Sequence, residues 1–280
     1  MESLTKDRWQ LAEEFGVRGF LVVKEALAKK HLHELNGVVN WYMENYHEER
    51  IELSDSSVEF ENILPKTSDF DFVIENPVVL DILRAIIGES VTFEQFSIMI
   101  RNPTSNVKEF KGWHRDLTRD YNRRKEINAI SIIYYLTNVS ENDHCFSIVP
   151  ETHNRLINVK PEDVVSENEI EVTGPAGTAV MFHAGCIHAG KLKPNSQERR
   201  VLQVYFSHKD GPRTAEWSDI PERLYLKKDP SLPENLYSKW NLTEVFDGTG
   251  KRPKDIEGSM PFPALVKEVQ KRTKSQADRS

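Results

Sequence analysis

Cysteine is scarce in this sequence: Cys145 and Cys186 are the two that occur among 280 residues. Two cysteines do not make the disulfide framework of a small secreted protein, so we expect a reducing compartment, the cytoplasm. Long apolar runs are also missing, and none approaches the about 18 residues that a membrane helix needs. The first residues lack the basic and then apolar pattern of a signal peptide. We therefore expect no membrane partner.

Positive charge is not in excess either, because 44 acidic side chains outnumber 37 basic ones and the formal net charge is −7. An acidic chain has no general attraction to nucleic acid or to anionic lipid, so nucleic acid is not expected as a partner. Hydrophobic residues at 38% and charged residues at 29% are typical of a globular protein. Composition leaves the oligomeric state open between monomer and homodimer.

The hydrophobic pattern changes along the chain, and the change divides it into three parts. Residues 1–90 are expected to be helical, with one helix ended by Gly16 and another capped by Asn76, begun by Pro77 and ended by Gly88. Residues 91–210 alternate with a period of two and predict short strands joined by loops. Residues 211–280 are rich in proline and charge and are expected to wrap around the rest. We expect a single domain over residues 1–280, mainly β, with the early helices packed outside a sandwich or barrel.

The predicted strands are recognised by alternating or continuous apolar residues between turn signals. They cover residues 91–100, 129–136, 146–149, 179–182 and 201–207.

A His-x-Asp pair, His114 and Asp116, offers two metal ligands. In an extended strand, residues two apart project to the same face, so both side chains reach one ion. An imidazole and a carboxylate suit Fe(II) better than a soft metal. A pair of this kind also arises by chance in surface loops, so it needs a third ligand.

The third ligand is expected on the run from Gly177 to His188, read as one apolar strand ending in histidine. His188 would complete a two-histidine, one-carboxylate facial triad with three open positions. His183 is the alternative, and strict alternation puts it on the opposite face of that strand.

Two arginines, Arg199 and Arg200, stand directly before the last predicted strand. A guanidinium at the mouth of a strand binds a carboxylate through two parallel hydrogen bonds, which suits the distal end of a dicarboxylate. Either arginine could serve.

Taken together, these motifs resemble those of the phytanoyl-CoA dioxygenase family of Fe(II)/2-oxoglutarate-dependent oxygenases. The family's His-x-Asp matches residues 114–116, its Asn-Gly and Pro-Gly-Ser-His element resembles residues 142–153, and its distal histidine and arginine match His188 and Arg199. The sequence departs from the family at His144 and Glu151, where glycine is usual, and at Pro194, which is displaced by about two residues from its usual distance to the distal histidine.

The resemblance implies a double-stranded β-helix (a jelly-roll, cupin-like core) with iron inside one end. It implies Fe(II) on His114, Asp116 and His188, and 2-oxoglutarate as a co-substrate whose far carboxylate binds Arg199. With O2, such an enzyme hydroxylates a C–H bond of a small molecule and releases succinate and CO2. The carboxylate of Asp116 favours hydroxylation, because halogenating relatives have a small residue there; desaturation stays an alternative.

The basic residues near the metal pair would either form a solvated charged loop or steer an anionic substrate that bears a carboxylate, phosphonate or phosphate. Gln95 and Arg101 share one face of the strand before the metal pair and are the expected substrate contacts. The alternatives from other classes are a metal-dependent cupin-like hydrolase that works without O2 and a jelly-roll binding module. The basic residues near the pair that favour an anionic substrate are eight in number: Arg101, Lys108, Lys111, Arg115, Arg119, Arg123, Arg124 and Lys125.

Overall fold

Two antiparallel sheets form the body of the protein in this computed structural model. It describes residues 7–46, 50–54, 57–105, 107, 112–116, 129–154, 168–194, 196–211 and 219–241. The strands are β1 Phe20–Val23, β2 Arg50–Ser54, β3 Ser57–Glu61, β4 Val91–Arg101, β5 Ile130–Tyr135, β6 Cys145–Val149, β7 Ile170–Val172, β8 Ala179–His183, β9 Ile187–Lys191 and β10 Arg199–His208. The helices are α1 Arg8–Arg18, α2 Lys29–Asn45, α3 Asp71–Ile74 and α4 Pro77–Ile87, followed by a short helix at Glu222–Tyr225.

The larger sheet has seven strands in the order β1-β8-β5-β10-β4-β3-β2, and the smaller has three in the order β7-β6-β9. Strands that follow one another in the chain are often not neighbours in the same sheet, and some lie in different sheets, as in a jelly-roll. The predicted fold class, a mainly β jelly-roll with flanking helices, is confirmed.

Each face of the larger sheet packs against a different partner. Phe96, Ile98 and Ile100 of β4 belong to an outer core shared with the helices. The opposite face belongs to an inner core between the two sheets, where Tyr135 and Val201 join Phe146 of the smaller sheet. Because side chains alternate along a strand, the residues at 95, 97, 99 and 101 of β4 face the interior.

All five predicted strands are present, but the expectation of a helical part over residues 1–90 is wrong in one respect. Three strands lie there: β1 pairs with β8, and β3 joins β2 to β4, at opposite edges of the larger sheet. These strands are four or five residues long, so their pattern is too short to stand out between helices. That residues 1–280 form one domain stays a prediction.

Helix α4 begins and ends at the predicted residues. The side chain of Asn76 accepts hydrogen bonds from the backbone N–H groups of Val78 and Val79, Pro77 occupies the first helical position, and Gly88 caps the end. Helix α1 differs from expectation, because it continues through Gly16 to Arg18 and ends at Gly19. Gly16 lacks a side chain to pack but keeps helical geometry, so glycine alone does not end a helix.

The segment after β10 contributes to the outer core. Leu224, Leu236 and Tyr237 are buried there, and Lys239 forms a buried ion pair with Glu94 of β4 at 2.5 Å. Residues 242–280 lie outside the described part of the chain. Within the described part, no helix is both long and apolar enough to span a membrane.

Gly19 connects α1 to β1 at a point where a side chain has no room. Its φ of +77° lies in the left-handed region, and a Cβ atom there would lie 2.5 Å from Sγ of Cys186 and in contact with the ring of His153. The backbone oxygen of Gly19 also accepts a hydrogen bond from the N–H of His183 at 2.8 Å. The position therefore requires glycine.

We predict that Gly19→Ala lowers the free energy of unfolding by about 2–5 kcal/mol, from the left-handed backbone and the overlap together. Gly16→Ala is the matched control, because nothing lies within 4 Å of its Cβ position. That control should raise stability by about 0.5–1 kcal/mol, since alanine is the better helix former. Urea unfolding measures both, and equal stability of the two variants would contradict the assignment.

Candidate metal centre

His114 and His188 are joined by the backbone before their side chains meet. His188 is the second residue of β9, and its N–H and C=O exchange two hydrogen bonds with those of His114, at 2.9 and 3.0 Å. The N–H of Asp116 also donates to the backbone oxygen of Ala184 at 3.0 Å. The segment 112–116 thus pairs with β9 through a single β-bridge and is not a regular extended strand.

Three side chains converge from this bridge. Nε2 of His114 lies 3.3 Å from Oδ1 of Asp116, and Nε2 of His188 lies 3.2 Å from the same oxygen. Imidazole and carboxylate ligands bind a divalent metal at about 2.0–2.2 Å, so two ligands at right angles around one ion are about 3 Å apart. Within the described ranges, this is the one group of three such residues whose ligand atoms lie close enough to hold a metal ion.

Both imidazole rings are oriented by backbone carbonyls. Nδ1 of His114 bonds to the oxygen of Gly112 at 2.7 Å, and Nδ1 of His188 bonds to the oxygen of Cys186 at 2.9 Å. A carbonyl only accepts, so each Nδ1 carries the proton and each neutral ring has its lone pair on Nε2. Two lone pairs and a carboxylate oxygen therefore face one another, and only a cation between them, a proton or a metal ion, makes this arrangement favourable.

The electrostatics of the group point the same way. Burial raises the pKa of Asp116, but the nearby charges and hydrogen bonds of His188 and His114 outweigh burial and hold it well below its usual value. The hydrogen bond with Asp116 raises the pKa of His114 against the effect of burial. Asp116 is thus ionised at neutral pH, which is the form that binds a metal.

The structure brings His188, and not His183, to the pair. The reason differs from the expected one, because residues 177–188 do not form a single strand: β8 ends at His183, and β9 begins at Ile187 after a turn. Alternation along one strand therefore does not separate the two histidines. Nδ1 of His183 accepts a hydrogen bond from the N–H of Gly185 at 2.9 Å, beside the turn.

Arg199 and Arg200 point to opposite sides of β10. Arg199 is buried in the interior, with its guanidinium carbon 5.5 Å from the centre of the Tyr135 ring. Its Nε atom is buried and has no hydrogen-bond partner among the described residues. Arg200 points outward and donates to Glu198 and to Asn40 of α2, both at 2.6 Å.

Gln95 and Arg101 share one face of β4, as alternation predicted, and this is the interior face, because Met99 between them packs against the inner core. Arg101 is the register partner of Arg199 across β4 and β10. Its Nη2 atom lies 3.7 Å from the position that a Cβ on Gly190 would occupy, so the side chain reaches β9 two residues beyond His188. Burial and the charge of Arg199 lower the pKa of Arg101, whereas Glu59 raises it.

Arg115 does not belong with the steering charges that we expected. It is buried and donates to the backbone oxygens of Thr152 and Gly185, at 2.6 Å for Thr152, so it fixes loops beside the site. The six basic residues from Lys108 to Lys125 other than Arg115 lie outside the described residues.

His144 and His153 have structural roles. The ring of His144 accepts from the N–H of Lys193 at 2.9 Å and donates to the oxygen of Asn102 at 3.0 Å, so it ties two loops together. Nε2 of His153 donates to the oxygen of Gly16 at 3.2 Å. Glu151, which stands where the family has glycine, takes a φ of +64°, so the turn keeps the conformation for which glycine is suited.

Sequence reasoning missed three polar residues beside Asp116, namely Ser131, Gln203 and Tyr205. Tyr205 donates from its hydroxyl group to Oδ2 of Asp116 at 2.9 Å. Alternation along β10 could have indicated them, because residues 203 and 205 lie on the same interior face as Arg199. Polar residues on an interior face are unfavourable unless they are hydrogen-bonded, so they indicate a site.

A jelly-roll interior with two histidines and one carboxylate at one end is typical of non-haem iron oxygenases. A sequence model of the family "Phytanoyl-CoA dioxygenase (PhyH)" matches residues 15–201, more than half of the chain. The chain therefore belongs to the phytanoyl-CoA dioxygenase family, a family of Fe(II)- and 2-oxoglutarate-dependent oxygenases, and the resemblance drawn from the motifs is confirmed. None of the curated proteins matches the chain significantly in sequence.

Several solved structures share the fold. The α-ketoglutarate-dependent carbocyclase SnoK from nogalamycin biosynthesis is 15% identical with a TM-score of 0.62, covering 83% of this chain and 94% of its own. The epimerase SnoN from the same biosynthesis is 14% identical (TM-score 0.59; 72% and 83% covered). HygX from Streptomyces hygroscopicus, solved with nickel and 2-oxoglutarate, is 12% identical (TM-score 0.58; 74% and 89% covered). Likeness at these identities shows the fold.

We predict that His183 makes stability depend on acid pH. Burial is the main cause that lowers the pKa of His183, to about 4, and the nearby His153 and Arg115 act in the same direction. In the unfolded chain the pKa is about 6.5, so between these values the unfolded state binds more protons and stability falls as pH falls. The loss should approach about 3 kcal/mol below pH 4, and none is expected above pH 6.5.

The comparison uses metal-free protein and the variant His183→Asn, whose amide oxygen replaces Nδ1 as the acceptor for the N–H of Gly185. Urea unfolding is measured at pH 7.5 and at pH 4.5. Wild type should lose more stability than the variant on acidification. An equal loss in both proteins would mean that His183 titrates normally.

Proposed function

We propose that the protein is an Fe(II)- and 2-oxoglutarate-dependent dioxygenase. The observation that carries the proposal is the convergence of Nε2 of His114, Nε2 of His188 and Oδ1 of Asp116, three acceptors within 4.8 Å of one another. This set requires a cation, and two imidazoles with one carboxylate on one side of an ion suit Fe(II) with three further positions open.

The three residues fit an iron ion in charge as well as in distance. Each imidazole is held by a carbonyl at Nδ1 and would bind the ion through the lone pair of Nε2, and the carboxylate is ionised, so the ligand set would carry one negative charge when it binds the ion. When bound, iron and 2-oxoglutarate supply the O2-dependent oxidation of a substrate C–H bond, with release of succinate and CO2. The protein's own residues bind and orient the iron, the co-substrate and the substrate, and they exclude water from them.

Arg199 is the proposed anchor for the distal carboxylate of 2-oxoglutarate. A buried guanidinium with an unpartnered Nε is costly without an anion, and a carboxylate would accept two parallel hydrogen bonds from it. Arg101, its register partner, adds a second positive charge at this end of the interior. Like charges placed opposite each other destabilise a sheet, so a bound anion relieves both.

Apolar rings separate the metal end from solvent. The ring of His188 packs 4.6 Å from that of Phe182 on the larger sheet and 5.5 Å from that of Phe146 on the smaller sheet, measured between ring centres. His188 is consequently buried, whereas the side chain of His114 is 54% exposed. Substrate and co-substrate therefore enter from the His114 side, and the buried side excludes water.

The proposed reaction is hydroxylation of a small metabolite that carries a carboxylate, phosphonate or phosphate group, with Gln95 and Arg101 as substrate contacts. The position of Arg101 on the interior face, in reach of β9, supports an anionic substrate. Desaturation is an alternative outcome of the same C–H oxidation. Epimerisation and ring closure are further alternatives, because SnoN is an epimerase and SnoK a carbocyclase. A metal-dependent hydrolase would use the same ligands but not O2.

We also propose that the protein acts in the cytoplasm, on small molecules rather than on nucleic acid or membranes. The acidic net charge of −7 and the two buried, free cysteines support this.

The test is succinate formation from 2-oxoglutarate, with and without Fe(II) and O2. We expect turnover that needs both, and a loss of more than about 100-fold in His188→Ala, because even a residue that merely supports a ligand changes affinity by about 10–100-fold. His183→Ala is the matched control, since it removes a nearby histidine outside the ligand group, and should keep the wild-type rate.

Three results would contradict the proposal in different ways. Activity without O2 would favour a hydrolase. Metal binding that stabilises the protein without turnover on any substrate would favour a binding module. Full activity in His188→Ala together with loss in His183→Ala would assign the third ligand to His183.

A further inference from the structure

Three polar side chains form a row inside the barrel where apolar residues would be expected. Ser131 of β5 and Gln203 of β10 are buried, and Tyr205 lies directly opposite Ser131 in the strand register. Their neighbours on the same face, Ile133 and Val201, belong to the inner apolar core. Burying hydroxyl and amide groups is unfavourable unless each one is hydrogen-bonded, so the row needs a structural or chemical purpose.

The row is one continuous chain of hydrogen bonds that ends on Asp116. Nε2 of Gln203 donates to Oγ of Ser131 at 2.9 Å and to Oη of Tyr205 at 2.7 Å. The hydroxyl group of Tyr205 donates to Oδ2 of Asp116 at 2.9 Å. The chain thus links two strands of the larger sheet to a residue that is bonded to the smaller sheet through His114 and His188.

The direction of these bonds is set by chemistry. The carboxylate of Asp116 is ionised and only accepts, so the hydroxyl hydrogen of Tyr205 points to Oδ2. The phenol oxygen is then free to accept, and Gln203 must present its NH2 group and not its carbonyl oxygen. Burial is the main cause that raises the pKa of Tyr205, and the charge of Asp116 raises it further, which keeps the phenol protonated and able to donate.

The two oxygens of Asp116 are therefore used differently. Oδ2 is taken by Tyr205, and Oδ1 faces Nε2 of both His114 and His188. Without the phenol, rotation about the Cβ–Cγ bond would let either oxygen, or both, turn to the ion. Binding through both oxygens would take one of the three positions that the co-substrate and O2 require.

We propose that Tyr205 is a positioning residue that holds Asp116 so that one oxygen alone binds the metal, and that Gln203 and Ser131 fix the phenol in this role. This inference rests on the proposed function, because it assumes a metal between the three ligands. Tyr205 acts through Asp116 and need not touch the substrate. Residues that support metal ligands in this way usually change metal affinity by about 10–100-fold when they are removed.

Anaerobic titration with Co(II), followed by its d–d absorption, tests the proposal without turnover. Tyr205→Phe removes only the hydroxyl group. We expect its Kd for Co(II) to rise about 10–100-fold and its absorption spectrum to change, because the carboxylate changes its mode of binding. Tyr134→Phe is the matched control: it removes a buried hydroxyl from β5, one that donates to the oxygen of Val73 on the outer face at 3.3 Å.

A second variant keeps the test decisive if Tyr205→Phe does not fold. Gln203→Met removes the NH2 donor with little change in volume, leaves Tyr205 in place, and should raise the Kd for Co(II) several-fold in the same direction. Wild-type affinity and an unchanged spectrum in every folded variant would overturn the positioning role. A wild-type protein that itself does not bind Co(II) would instead overturn the proposed function, so the two failures are distinguishable.

Discussion

Two backbone hydrogen bonds join His114 to His188, and the geometry of the whole site follows from them. Because the two residues are a register pair, their side chains leave the backbone on the same face at a fixed separation. The next residue on that face of the segment, two positions along, is Asp116, whose N–H is bonded to Ala184. The separation of the proposed ligands is therefore set by backbone hydrogen bonds between segments that are far apart in the sequence.

The interior of the barrel is polar at two places and apolar between them. One polar end holds the ligand group with the row Ser131, Gln203 and Tyr205, and the other holds Arg101 and Arg199. The inner core contains Ile133, Val201 and Phe146, which keep the dielectric low and strengthen the charge interactions at both ends. A dicarboxylic co-substrate with one end on a metal and the other on a guanidinium matches this division.

Much of the site could be predicted from local sequence, and the reasons differ between residues. His114 and Asp116 are two apart, so a short extended segment is enough to bring them together. The capping signals of α4 are local as well, which explains why its ends agree with expectation. The structure brings His188 rather than His183 to the pair, but alternation along one strand is not the cause, because the turn at residues 184–186 is formed by contacts with Arg115 and Gly19 that are distant in sequence.

Other features depend on pairings that no local pattern contains. Strand β1 forms because its backbone pairs with β8, which would otherwise be the edge strand of the larger sheet. Gly19 ends α1 because the side chains of His153 and Cys186 fill the space beside it. Tyr205 reaches Asp116 across 89 positions of sequence, so its role appears only once the strands are assembled. The register of β10 determines that Arg199 faces the interior of the barrel. Arg200 therefore faces outward, where it donates a hydrogen bond to Asn40 of α2.

We propose that one ion lies between His114, Asp116 and His188 while Arg199 holds the far end of 2-oxoglutarate. Crystals grown without O2, with Fe(II) and 2-oxoglutarate, test it directly through the anomalous signal at the iron absorption edge. We expect one strong peak about 2.0–2.2 Å from Nε2 of His114, Oδ1 of Asp116 and Nε2 of His188, with the co-substrate's C5 carboxylate at Arg199. A peak beside His183 and His153, or a carboxylate bound by Arg200, would contradict it.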